Sequence, residues 1–353
     1  MGDFSETLLL WFDRCHREMP WRGTRDPYRI WLSEIMLQQT RVDTVRSYYE
    51  RFLSHFSDVE ALAAAPEEEV LKLWQGLGYY SRARSLHKAA REILSRYGGV
   101  FPTEYEQILA LPGIGPYTAG AVASIAFGRR VPAIDGNVYR VAARVFGIRE
   151  SVERPTVQRQ IHDEVLARMP ENRPGDYNQA LMELGATCCC PGTPNCAACP
   201  VCRFCDAFEA EDAALLPVHE RKAPPKPVAV AVCLLRLNGK MLVVRRKERL
   251  LQGLYVFALL EEEAPPEELR AMLQRQGLPC GELTPIGNAR HVFTHRVWEM
   301  TLYQGELTAP PGNPFTKAQE YRFVDAAELA ALPFPTAMKA ARAAAAEMLG
   351  AEG

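Results

Sequence analysis

The sequence predicts a multidomain protein with two domains of different class. An all-α domain covers residues 1–215 and an α+β domain covers 228–350, with a linker at 216–227 between them. Three observations carry this. Apolar residues up to the cysteine-rich loop recur at helical spacing, and no strand-like run interrupts them. The stretch "LPVHERKAPPKP" is rich in proline and charge. After it, "VAVAVCLLRLNGKMLVVRR" sets two β-type runs around Asn238-Gly239, a strong hairpin signal.

The helical half begins with "MGDFSETLLLWFDRCH", which reads as the start of an amphipathic helix and not as an export signal. "PYRIWLSEIMLQQTRVDTVRSYYERFLSHF" places Ile30, Ile35, Leu37, Val42, Val45, Tyr49 and Phe52 at helical spacing. Pro66 opens an acidic first turn in "PEEEVLKLWQGLG", and a glycine stops it. In the second half, "ARHVFTHRVWEMTLYQGEL" is strand-rich and "AAELAALPFPTAMKAARAAAAEML" is helical. No internal repeat and no apolar run of membrane-spanning length occurs. A cytoplasmic, bacterial-type, monomeric protein is expected.

Overall charge is −2, which does not mark a nucleic-acid binder. Residues 71–150 nevertheless carry eleven Lys/Arg against five Asp/Glu. That local excess is either a phosphate-binding patch or a solvated helical surface.

Seven of the ten cysteines crowd into "GATCCCPGTPNCAACPVCRFC". In a reducing compartment such a loop argues for a metal or cluster over disulfides. Cys189, Cys196, Cys199 and Cys205 give C-x6-C-x2-C-x5-C. Four thiolates suit either zinc or [4Fe–4S], and Cys188, Cys190 and Cys202 blur the ligand set. A second compact motif is "LPGIGPYTAG", before the apolar run "AVASIAF". Successive backbone N–H groups at such a helix start form a phosphate site, although Pro116 at the first helical position would also suit an ordinary helix.

Taken with Asp135 in "VPAIDGNVYR" and with "PWRGTRDPYRIWLSEIMLQQT", these motifs resemble the iron–sulfur helix-hairpin-helix DNA glycosylases, most closely the MutY adenine glycosylases. The resemblance runs over nearly the whole chain. It implies a [4Fe–4S] cofactor on Cys189, Cys196, Cys199 and Cys205. It also implies a hairpin (Gly113, Gly115, Pro116, Thr118) that grips a DNA backbone without reading sequence. The implied partner is double-stranded DNA with adenine opposite 8-oxoguanine or guanine.

Releasing adenine requires a proton on the leaving base and a negative partner for the oxocarbenium-like sugar. Glu34 lies beside Trp31, Ile35 and Met36, and such apolar neighbours keep a carboxyl protonated near neutral pH. By resemblance Glu34 protonates adenine N7, Asp135 stabilises the sugar cation, and Tyr117 and Asn137 belong to the same catalytic group. Singly, Glu34 could face solvent on a helix, and Asp135 could be a turn residue or a helix N-cap. The target base must leave the stack. Gln39 and Tyr79 match the family's intercalating residues, and Trp21, Arg22 and Gln179 match its adenine pocket.

The resemblance makes the second domain a Nudix-like fold that recognises 8-oxoguanine through Phe293, Thr294 and His295. Threonine stands where the family commonly has serine, and "GLYVFAL" matches the family only loosely. No catalytic Nudix box is present, so nucleotide pyrophosphatase activity is not expected. The nearest rival is an endonuclease III-like pyrimidine glycosylase with lyase activity. Its amine would stand at position 117, and no lysine occurs from 89 to 221. A non-catalytic DNA-damage binding protein is the rival from another class, and intact Glu34 and Asp135 argue against it.

Overall fold

A computed structural model describes residues 2–220, 223–313 and 315–350. Among the described residues, twelve α-helices precede the first strand: α1 Phe4–Cys15, α2 Pro27–Leu37, α3 Val42–His55, α4 Val59–Ala64, α5 Glu67–Leu73, α6 Ser81–Tyr97, α7 Tyr105–Leu109, α8 Pro116–Phe127, α9 Gly136–Val145, α10 Pro155–Ala167, α11 Pro174–Thr187 and α12 Asp206–Glu209. Strands β1 Lys226–Leu237, β2 Lys240–Arg245, β3 Tyr255–Val256 and β4 Ala258–Leu260 come next. They are followed by α13 Pro266–Arg275, β5 Thr284–Val292, β6 Arg296–Glu306, α14 Phe315–Ala318, β7 Glu320–Val324, α15 Ala326–Ala331 and α16 Lys339–Gly350. None of the described helices is long and apolar enough to cross a membrane.

The chain forms two compact units. One comprises residues 1–64 and 85–222, the other 65–84 and 223–353. The second unit therefore includes α5 and the "GLGYYSR" stretch together with the sheet.

In the first unit α8 is the central helix. Its residues from Thr118 to Ser124 are all buried, so it is covered on every side, as a helix with no polar face requires. Gly120 lets the extended segment before α9 lie against it, because a Cβ there would stand 2.2 Å from the Pro132 carbonyl oxygen. Asn178 fixes the same segment. Its side chain accepts from Ala133 N–H at 3.1 Å and donates to Ser124 Oγ at 2.8 Å and the Val131 carbonyl at 2.9 Å. The first two of these bonds are buried and the third is partly buried, and together they secure the stretch that delivers Asp135.

The helical spacing between Pro27 and His55 is realised as two helices. α2 stops at Leu37, Gln39 takes φ +57°, and α3 restarts at Val42. Several of the basic residues of 71–150 are engaged within the protein. Arg96, Arg129 and Arg149 pair with Glu92, Glu104 and Asp206, and Arg140 and Arg144 are buried.

The second unit is a mixed sheet in the order β3-β2-β1-β6-β5, with β4 also pairing with β1 and β7 with β2. β1 and β6 are parallel over Lys226–Arg236 and Arg296–Glu306, and the remaining pairs are antiparallel. Asn238 and Gly239 have φ +51° and +76° between strands in register Leu237 to Lys240. This is the two-residue turn that Asn-Gly favours. Trp298, Tyr255 and Phe257 fill the core. In the segment read as a linker, the Val218 carbonyl accepts from Val152 N–H at 3.1 Å and β1 already begins at Lys226. Arg221 and Lys222 of that segment lie outside the described residues.

Candidate active site

A cavity of about 610 Å³ opens in the first unit. Glu34, Tyr117, Asp135, Asn137, Trp21, Arg22, Gln179 and Gln39 all line it, as do Gly115, Pro116 and Thr118. Residues from five separate stretches of sequence are thus brought to one wall.

α2 carries Glu34 inward. Asp26 caps the helix by accepting from Tyr28 N–H at 2.9 Å, and Pro27 holds the first position. Glu34 is only 6% exposed, and Tyr117 Oη donates to its Oε2. Burial raises the Glu34 carboxyl to about 7; the Tyr117 bond and the more distant Arg22 oppose this, while Asp135 adds to it. Glu34 therefore holds its proton well above the ordinary carboxylate range. Tyr117 itself is pushed well above the ordinary phenol value by burial and by both carboxylates, so it remains a neutral donor. Its hydroxyl also lies 3.8 Å from Met182 Sδ.

Asp135 is the N-cap of α9 and a wall of the cavity at once. Its Oδ1 accepts from Val138 N–H at 2.8 Å and its Oδ2 from Asn137 Nδ2 at 2.7 Å. Burial raises its carboxyl, while those bonds and Arg140 work the other way. Asn137 is itself held by Arg140, whose Nη2 donates to Asn137 Oδ1 at 2.8 Å and to the Gly185 carbonyl at 2.7 Å. Arg140 Nε reaches the Cys189 carbonyl at 2.8 Å. Gly185 is needed here, since a Cβ would meet Asn137 Cβ at 2.6 Å.

The hairpin behaves as its sequence requires. Gly113 has φ +74°, and a Cβ there would lie 2.3 Å from Ser85 Cβ. Gly115 is the N-cap of α8 and supplies no side-chain cap bond.

The sequence reading missed Glu183 and Arg17. Glu183 accepts from Arg17 Nε at 2.7 Å and from Arg22 Nη2 at 2.5 Å. Burial would push its carboxyl up, but the two guanidinium groups outweigh it and hold Glu183 below the ordinary value. It stands four residues after Gln179 on α11, hence on the same helical face, and that spacing was the available signal.

Two of the predicted residues lie in the second unit. Tyr79 is 50% exposed with φ +47°, and its hydroxyl faces Thr294 Oγ1 at 3.4 Å, longer than an ordinary hydroxyl bond. Phe293, Thr294 and His295 form the turn between β5 and β6. The Phe293 ring packs on His291 and Trp298 at 4.6 and 5.1 Å. Tyr79 and these three residues share a pocket of about 390 Å³.

Six of the seven clustered cysteines, all but Cys190, surround a small cavity of about 20 Å³ in the first unit. Arg144 braces it. Its guanidinium donates to Cys189 Sγ at 3.3 Å and to the carbonyls of Cys190, Gly192 and Leu216 at 2.9, 3.2 and 3.0 Å. Among the described residues the thiols ring this cavity without converging on one centre. A thiol-only donor set backed by a cation fits an iron–sulfur group.

A helical domain with a hairpin at its central helix, and with a buried acid and a helix-capping aspartate lining one cavity, resembles the base-excision DNA glycosylases. Accordingly, the model for HhH-GPD superfamily base excision DNA repair proteins matches residues 32–165, and a NUDIX domain model matches 230–344. A thermostable thymine-DNA glycosylase is similar to 59% of this chain over 95% of its own, with a TM-score of 0.54 and 33% identity. An endonuclease III captured as a DNA covalent intermediate shares the fold, with a TM-score of 0.50 and 23% identity over 59% of this chain and 94% of that one.

Relatives that match over most of the chain are more specific. The adenine DNA glycosylase of Mus musculus is 34% identical, with 90% of this chain and 74% of the relative covered. That of Homo sapiens is 36% identical, with 90% and 71% covered. The chain belongs to the adenine DNA glycosylases.

Proposed function

We propose that the protein hydrolyses the N-glycosidic bond of adenine mispaired with 8-oxoguanine or guanine in duplex DNA, and stops at base removal. The observation that carries this is the Tyr117–Glu34–Asp135 arrangement. A carboxyl near pKa 7, a neutral phenol donor and a second carboxyl line one cavity. Glu34 supplies the proton to adenine N7, since its protonated form persists at neutral pH. Tyr117 orients the Glu34 carboxyl and, with no amine, forms no Schiff base with the sugar. Asp135, fixed from both sides by Val138 N–H and Asn137, presents negative charge to the developing sugar cation. Arg22 and Gln179 line the space for the flipped base. Gln39 and Tyr79, both in left-handed conformations, are the side chains inserted into the opened stack.

The hairpin of Gly113, Gly115, Pro116 and Thr118 receives a phosphate of the same DNA. Phe293, Thr294 and His295 read the oxidised base opposite the adenine. Cys189, Cys196, Cys199 and Cys205 hold a [4Fe–4S] cluster, which when bound cross-links the loop and takes no part at the scissile bond. The domains follow as a glycosylase domain at 1–215, a linker at 216–227 and a reader domain at 228–350. The protein acts as a monomer in the cytoplasm.

The test is a duplex with adenine opposite 8-oxoguanine. Free adenine is expected, with strand scission only after alkali. Scission without alkali would favour a lyase, and binding without adenine release would favour a non-catalytic reader.

A further inference from the structure

Cys188 is outside the four-cysteine spacing, yet its side chain belongs to the cluster cavity. It is buried and lines that cavity together with Cys189 and Cys199. Its Sγ stands 3.2 Å from the Asn195 carbonyl. Cys190, the neighbour on the other side of Cys189, does not line the cavity and turns its Sγ to the Ala186 carbonyl at 3.6 Å. Cys188 and Cys189 also share one anchor. Both backbone N–H groups donate to the Leu184 carbonyl at the end of α11, at 3.0 and 2.7 Å. Two adjacent thiols thus hang from one fixed turn into one cavity.

Resting on the reading of this loop as the cluster site, we propose that Cys188 is a reserve ligand for the iron position of Cys189. When the Cys189 bond is lost, Cys188 gives its thiol proton to solvent and its sulfur bonds that iron. The iron keeps its oxidation state and its number of thiolates. Iron binds the thiolate, and a sulfur that already lines the same cavity from the adjacent chain position is placed to replace its neighbour.

The experiment compares iron and acid-labile sulfide per chain, with visible absorption, in the full-length wild type, Cys189→Ala, Cys188→Ala and the double variant. Cys189→Ala is expected to retain most of its iron, about tenfold more than the double variant. An iron-loaded wild type with Cys189→Ala as empty as the double variant overturns this inference alone. An iron-free wild type overturns the cluster reading with it. Should Cys189→Ala fail to fold, iron loss to a chelator decides the matter: Cys188→Ala should lose iron about tenfold faster than wild type. Equal rates overturn the proposal.

Discussion

Glu34 and Glu183 are glutamates of one cavity, 6% and 1% exposed, and they titrate in opposite directions. Burial pushes both up. Glu183 is gripped by two guanidinium groups, which overcome that push, whereas the hydrogen bond described for Glu34 comes from a neutral phenol. Contact with cations, and not depth, decides which carboxylate keeps a proton at pH 7. One glutamate is built to hold a pocket together and the other to give its proton away.

The strongest way to break this contrast is Glu34→Gln. Adenine release in single turnover should fall by about three orders of magnitude while duplex binding persists. A smaller loss with intact binding would move the acid elsewhere. The same variant tests stability. The folded Glu34 carboxyl, at about 7, lies above its unfolded value, so the native state binds the extra proton between the two. Wild-type stability therefore drops as pH rises from the unfolded value to about 7, and Glu34→Gln escapes the drop. It should be more stable by roughly 3 kcal/mol at pH 8, with the gain vanishing near pH 4, as measured by urea unfolding.

Glu183→Gln should act in the opposite sense. It leaves two cations without their partner and should cost roughly 2–3 kcal/mol, reduced because Arg17 keeps 41% exposure. Arg22, released, then draws the Glu34 carboxyl down, and the pH above which excision falls moves to lower values. The smallest effect belongs to Tyr117→Phe. Removing a bond that favours ionised Glu34 should raise that same pH by roughly one unit, with about tenfold slower release. An unmoved pH profile would remove Tyr117 from the acid's environment.

Much of this was readable from residue order. Asp135 was open to reading as a helix cap or as a catalytic carboxylate, and in the structure one side chain caps α9 while lining the cavity. Asn238-Gly239 forms its turn because both residues accept positive φ. The Glu183 pairs were invisible because Arg17 and Glu183 are 166 positions apart, and only folding brings them together. The break at Gln39 was hidden by apolar spacing that continues unperturbed on both sides. Nor does residue order show that Tyr79, far upstream of the sheet, belongs to the same compact unit as Thr294.

That break at Gln39 has a consequence for how the protein can change. A left-handed glutamine costs about 1 kcal/mol or more where glycine would cost little. Selection for heat resistance alone should therefore drift toward glycine at position 39, and selection for repair should hold the side chain in place. Populations of variants sorted by the two pressures should part at this residue first.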